Sequence, residues 1–214
     1  MKRSIFLLLP ILAACSYFAH KEYALNPDPE NHIHADFAVW IGEEKIDFTD
    51  PKYMSGVSYD EESHDEEKEY HHQYLHLHDN VGSVIHTHKV GYTIADFLGS
   101  IGFVMSARCM RLDTGVDLCP NELGESWRMF VRHRPLIENE WQEVPWDPHF
   151  EFEDMDQILL TFQNDDEESM KKIEAQKNAM TDDACLYSKT CPWRGDPPTE
   201  NCIADPEVPC VLGE

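Results

Sequence analysis

Basic residues are scarce in this chain of 214 residues: 17 Lys and Arg stand against 41 Asp and Glu, which gives a formal charge of −24. Such a charge repels polyphosphate backbones and anionic lipid headgroups, so we expect no nucleic-acid partner. It favours cations, and the chain also carries 12 His and 7 Cys. The hydrophobic fraction of 42% can fill the core of one domain, which excludes a wholly disordered chain.

The sequence also lacks the short motifs of several enzyme classes. It contains no His-Glu-x-x-His, no Gly-x-Ser-x-Gly nucleophile elbow and no phosphate-binding loop. It contains no Cys-x-x-Cys, a usual motif of thiol–disulfide exchange. The pattern therefore favours binding over catalysis. One alternative is an extracytoplasmic enzyme, metal-dependent or thiol–disulfide redox, and another is a structural interaction module with an unknown protein partner.

The N-terminal segment is typical of an exported lipoprotein. Two basic residues precede an apolar run over residues 5–14, which is shorter than the roughly 20 residues of a membrane-spanning helix. The run ends in Leu-Ala-Ala-Cys15, which resembles the bacterial lipobox, whose Cys becomes the lipid-bearing first residue of the mature protein. We expect a signal peptide with lipidated Cys15 over residues 1–15 and a tether over 16–30, or else an ordinary signal peptide with an incidental Cys. Lipid on Cys15 would anchor the protein to a membrane in the periplasm or at the cell surface.

The other cysteines form an even set in an exported chain, which predicts three disulfides. They are Cys109, Cys119, Cys185, Cys191, Cys202 and Cys210. Proximity in the sequence favours a bond between Cys109 and Cys119, and the pairing among the other four stays open. Residues 165–214 are expected to form a surface helix and a disulfide-stapled, Cys-rich tail.

Hydrophobic periodicity predicts an α+β domain over residues 31–164. Apolar residues alternate with polar ones over 33–41, which is typical of a strand with one core face. A turn at residues 42–44 and a return strand over 45–48 complete a first hairpin. A second hairpin is predicted over 73–89, followed by a helix over 94–101 with Thr93 as its cap. Further strand-like runs lie at residues 103–110, 127–133 and 158–162.

Three His-x-His pairs are the most distinctive feature of the sequence. They are His32 and His34, His76 and His78, and His86 and His88. Side chains at i and i+2 of a strand project from the same face, so each pair presents two imidazoles together. In the second hairpin, a register whose residue numbers sum to 164 places His78 opposite His86, about 5 Å apart at Cβ. We expect the six histidines, with Asp36, to bind a metal ion; the alternative is a polar outer face that happens to use His.

Imidazole and carboxylate ligands restrict the choice of metal. Imidazole suits Zn, Cu and Ni, and the general affinity order places Cu(II) highest. The expected cofactor is Cu(II) or Zn(II), which the sequence does not separate, and the expected role is metal capture or trafficking. An acidic block at residues 60–69 predicts a solvated loop, or a segment that gathers cations near the site.

The order of hairpin, hairpin, helix and strands resembles the β-grasp fold, a mixed sheet packed on one helix. The stretches TIADFLGSIGF and HFEFEDMDQILLTF look like the helix and the last strand of small β-grasp modules. Over most of its length the chain is similar to uncharacterised bacterial lipoproteins with HxHxD, HLHD and HxH segments and a Cys-rich tail, here CLYSKTCPWRGDPPTENC. The resemblance implies a lipid-anchored, β-grasp-like domain and carries over no catalytic residues.

Overall fold

The computed structural model describes residues 32–55, 74–133, 140–196 and 198. They form an α+β fold, as predicted, with a large sheet and few helices. The predicted signal peptide, the lipidated Cys15, the tether, the acidic block, Cys202 and Cys210 lie outside the described residues. Among the described residues, no helix has both the length and the apolar character needed to cross a membrane.

The fold contains ten strands and three α-helices within the described ranges. The strands are β1 (Ile33–Ile41), β2 (Glu44–Lys45), β3 (Leu75–His76), β4 (Val84–Thr87), β5 (Val104–Met105), β6 (Met110–Arg111), β7 (Asp117–Leu118), β8 (Ser126–Arg132), β9 (Gln142–Val144) and β10 (Gln157–Gln163). The helices are α1 (Ile94–Ser100), α2 (Glu167–Asn178) and α3 (Ala184–Tyr187).

The main sheet is built around the first strand. β1 pairs antiparallel with β4 on one side and parallel with β10 on the other. The sheet order is β3-β4-β1-β10-β8-β9, and the short β2 folds back onto the end of β1. The alternation over residues 33–41 therefore predicted β1 correctly, and this strand is the centre of the domain.

One face of the main sheet carries the larger core. Phe37 of β1 packs edge-on against Phe97 of α1, with ring centroids 4.7 Å apart. The start of α1 is as predicted: the Thr93 hydroxyl accepts from the Asp96 N–H, and the Asp96 carboxylate accepts from the Thr93 N–H. The cap fixes where the helix begins, and the buried stripe of α1 then covers the sheet.

The second face of the main sheet is covered as well, although the alternating pattern predicted only one core face. Ile173 of α2 packs against Ala38 and Phe130 on this side. Further along the same face, Ala184 and Tyr187 of α3 pack against Val84 of β4. Polar residues that alternate with the core positions of β1 are therefore placed in the interior of the protein.

A small second sheet, β5-β6-β7, lies apart from the main one. The predicted strand over 103–110 is wrong as a single element, because the chain turns at Ser106 to Cys109 and forms two short strands instead. The disulfide between Cys109 and Cys119 forms as predicted, and Cys185 pairs with Cys191. Two disulfides indicate an oxidising compartment outside the cytoplasm.

Candidate metal centre

The three His-x-His pairs lie side by side on the second face of the main sheet. β4 runs between β3 and β1, so His86 lies opposite His34 on one side and opposite His76 on the other. Five of the six histidines are only 1–3% exposed, and His32 is half-buried. The structure thus gathers all six predicted histidines into one cluster, which is buried rather than an outer face.

The register of the second hairpin differs from the predicted one. Partner residue numbers sum to 162, so His76 rather than His78 lies opposite His86. The physical reason is the turn: Asp79 and Asn80 both adopt positive φ, 56° and 57°, and the Val81 N–H donates to the His78 carbonyl. A shift of two residues keeps every side chain on its predicted face of the sheet.

The six imidazoles form a closed circuit of neighbours. The ring-centroid distances around it are 4.4 Å (His32 to His88), 5.1 Å (His88 to His76), 5.6 Å (His76 to His78), 3.8 Å (His78 to His86), 4.9 Å (His86 to His34) and 6.1 Å (His34 to His32). Two imidazoles bound to one tetrahedral ion, with metal–N bonds of about 2.0–2.1 Å, have centroids about 5 Å apart. The observed spacings lie on both sides of that value.

The rings are gathered but not yet arranged as ligands. Within the described ranges, no group of three or more His, Cys, Asp or Glu side chains has its donor atoms placed to hold an ion. The rings of His78 and His86 contact each other directly at 3.8 Å. Ligation by both therefore requires them to turn until their centroids are about 5 Å apart.

Hydrogen bonds fix which nitrogen of two rings carries the proton. Nδ1 of His78 lies 2.7 Å from Oδ2 of Asp79, and since a carboxylate only accepts, Nδ1–H donates. The Ser188 hydroxyl donates its only proton to Asp154 Oδ1 at 2.6 Å, so it accepts from Nδ1–H of His34 at 2.9 Å. With Nδ1 as the donor, the neutral form of each ring carries its lone pair on Nε2, and such supporting hydrogen bonds are typical of metal-binding histidines.

His86 lies at the centre of the cluster and is held in its neutral form. Burial, the largest cause, lowers the pKa of His86 well below 6.5, and the imidazoles of His78 and His34 lower it further. Neither ring nitrogen of His86 makes a hydrogen bond to any other residue that the structure describes. A buried neutral imidazole in this state is costly for the fold and is available as a ligand.

The carboxylate of Asp36, a predicted ligand, is engaged elsewhere. It accepts hydrogen bonds from the Thr181 hydroxyl at 2.6 Å and from the backbone N–H groups of Asp183 at 2.9 Å and Ala184 at 3.1 Å. Burial raises the pKa of Asp36 to about 6, although these hydrogen bonds lower it. Asp36 therefore ties the segment before α3 to β1, which is a structural role.

A short segment closed by a disulfide covers the histidine cluster. The ring of Tyr187 lies 4.5 Å from that of His86, 5.5 Å from His34 and 6.1 Å from His78, measured between centroids. The disulfide between Cys185 and Cys191 closes the loop that carries Tyr187. No motif in the sequence marks Tyr187 and Ser188 as site residues. The spacing of Cys185 and Cys191 is the one sequence signal that their loop is held in place.

No protein-family model, curated protein or solved structure matches this chain. The function of the chain is therefore inferred from the geometry of the histidine cluster.

Proposed function

We propose that this protein binds a divalent transition-metal ion, Cu(II) or Zn(II), through the histidine cluster and captures or carries it outside the cytoplasm. The observation that carries the proposal is the circuit of six imidazoles with centroid spacings of 3.8–6.1 Å. Crowding these rings in the interior is costly, since burial removes their solvation and leaves both nitrogens of His86 without a hydrogen bond among the described residues. An ion that takes up their lone pairs offsets that cost.

The burial of the cluster supports holding a metal over catalysis. Five of the six histidines are at most 3% exposed, and Tyr187 covers three of them. A catalytic metal needs an open position that substrate can reach. A covered site suits an ion that is retained and released, as in capture or delivery.

We also propose that this protein is a lipoprotein and that lipid on Cys15 is its membrane anchor. The lipobox-like sequence supports this, and the two disulfides agree with export. Metabolic labelling with an alkyne fatty acid should mark the full chain and fail to mark Cys15→Ser. Equal labelling of both chains would contradict lipidation at this residue.

We further assign the domain to the β-grasp fold. In support, the central β1 pairs parallel with the last strand, β10, and antiparallel with β4, and β8 and β9 continue the sheet beyond β10. The helix α1 lies between β4 and β8 in the chain and covers one face. The chain order of hairpin, hairpin, helix and strands, on which the predicted resemblance to the β-grasp fold rests, also supports this assignment.

Equilibrium dialysis of untagged, metal-free protein against Cu(II) or Zn(II) tests the metal proposal. We expect wild type to retain at least one ion per chain. The double variant His86→Leu/His88→Leu removes both rings of the third His-x-His pair and should weaken metal binding by more than about 100-fold. That exceeds the loss of about 10–100-fold expected when only a supporting hydrogen bond is removed. His149→Gln is the matched control, since His149 is exposed and far from the cluster in the sequence. Wild type that retains no ion, or a double variant with native circular dichroism that binds as wild type does, would refute the proposal.

A further inference from the structure

The histidine cluster divides into two triads. One triad is centred on His86 of β4, and the other on His88, which directly follows β4. The members, centre first, are His86, His34 and His78 in the deep triad, and His88, His32 and His76 in the outer triad. Centroid distances from the central ring are 4.9 and 3.8 Å in the deep triad and 4.4 and 5.1 Å in the outer triad. Each His-x-His pair thus contributes one ring to each triad.

We infer that the cluster is a two-ion site, with one divalent metal ion in each triad; this rests on the proposed function, because it concerns the same rings. Six imidazoles exceed the four positions of one tetrahedral ion, whereas three per ion can be accommodated by two ions. The spacing of alternate residues along a strand is about 6.6 Å. The rings within two of the pairs lie 6.1 and 5.6 Å apart, which places the two ions side by side along the strands.

Carboxylates behind the deep triad reduce the repulsion between two divalent charges. Asp79 accepts from His78, and Asp154 is linked to His34 through the Ser188 hydroxyl. Both carboxylates remain partly exposed, with side-chain exposures of 26% and 40%. They supply negative charge beside the ions without occupying a position of a triad, and they orient two of its rings.

The two triads differ in their access to solvent. Tyr187 contacts all three rings of the deep triad, whereas the outer triad includes the half-buried His32. The ion in the deep triad is shielded, and the ion in the outer triad lies nearer the surface. The outer ion should therefore be the first to leave when a chelator is added.

Stoichiometry of the untagged full chain, titrated with Cu(II) and measured by metal analysis after dialysis, tests the inference. We expect two ions per chain in wild type and in His149→Gln, and one ion in each of His86→Leu and His88→Leu. Saturation of wild type at one ion overturns the two-ion site while leaving the proposed function standing. Retention of no ion overturns the proposed function itself, so the two failures are distinguishable.

Electron paramagnetic resonance of Cu(II)-loaded wild type tests the same inference without using any variant, so misfolding of a variant cannot affect the result. At one equivalent of Cu(II) the spectrum should be that of an isolated ion. At two equivalents, ions about 6.6 Å apart should give dipolar broadening and a half-field transition. A second equivalent that only doubles the isolated signal would place that ion elsewhere on this acidic protein and overturn the inference.

Discussion

Acidification should destabilise the metal-free protein through the buried His86. The perturbation is a change from pH 7.5 to pH 5.5 in the presence of a chelator, applied to wild type and to His86→Leu. Burial lowers the pKa of His86 well below 6.5 in the folded chain, while the unfolded chain binds a proton near pH 6.5. The unfolded state therefore gains protons first as the pH falls.

The sign and size of the effect follow from proton linkage. Because the folded pKa of His86 is depressed, its contribution to stability is present above about pH 6.5 and is lost as the pH falls towards the folded pKa. The loss is about 1.4 kcal/mol of unfolding free energy per pH unit. Leucine takes up no proton, so His86→Leu should lose about 1 kcal/mol less than wild type between pH 6.5 and 5.5, because the unfolded histidine is already half protonated at pH 6.5.

Urea denaturation followed by tryptophan fluorescence at pH 7.5, 6.5 and 5.5 measures this difference. A packing change from the substitution shifts the whole curve of His86→Leu, but it does not change the pH slope. His149→Gln removes an exposed histidine and should keep the slope of wild type. Parallel pH curves for wild type and His86→Leu would refute the burial of a neutral imidazole at the centre of the cluster.

Three further predictions concern the surroundings of the cluster. A Cβ at Gly82 would overlap the carbonyl carbon of Phe48, so Gly82→Ala should lower the unfolding free energy in urea by about 1–3 kcal/mol. An unchanged midpoint would contradict this close approach. Because burial raises the pKa of Asp36 from 3.8 to about 6, the contribution of its carboxyl is full below pH 3.8 and is lost as the pH rises through 6. The unfolding free energy of Asp36→Asn minus that of wild type should thus rise by up to about 3 kcal/mol between pH 4 and 7. If urea denaturation gives the same difference at both pH values, the raised pKa of Asp36 is contradicted. Ser188→Ala removes the hydrogen bond to His34 and should weaken metal binding by about 10–100-fold in a chelator competition, and an unchanged affinity would exclude this orienting role.

Local signals in the sequence predicted the elements that local physics determines. The alternation of apolar and polar residues predicted β1, because side chains of a strand point to opposite faces in turn. Thr93, as the predicted cap, marked the start of α1. The short spacing of Cys109 and Cys119 predicted their disulfide. Each of these depends on residues within one segment of the chain.

The cover of the cluster depends on contacts between segments that lie far apart in the chain, and the sequence pattern does not contain them. Ser188 meets His34 across 154 residues, and Ala184 meets Asp36 across 148. Without that cover, the polar side of β1 would be an outer face with His32, His34 and Asp36 exposed. The composition of the cluster was therefore predictable, whereas its burial and the role of Asp36 were not.

X-ray absorption spectroscopy at the edge of the bound metal tests most directly whether imidazoles hold the ion. The loaded, untagged protein should show a first shell that contains nitrogen at about 2.0–2.1 Å. Outer-shell scattering should indicate three imidazoles per ion. A first shell of sulfur, or of oxygen without imidazole scattering, would contradict binding by the histidine cluster.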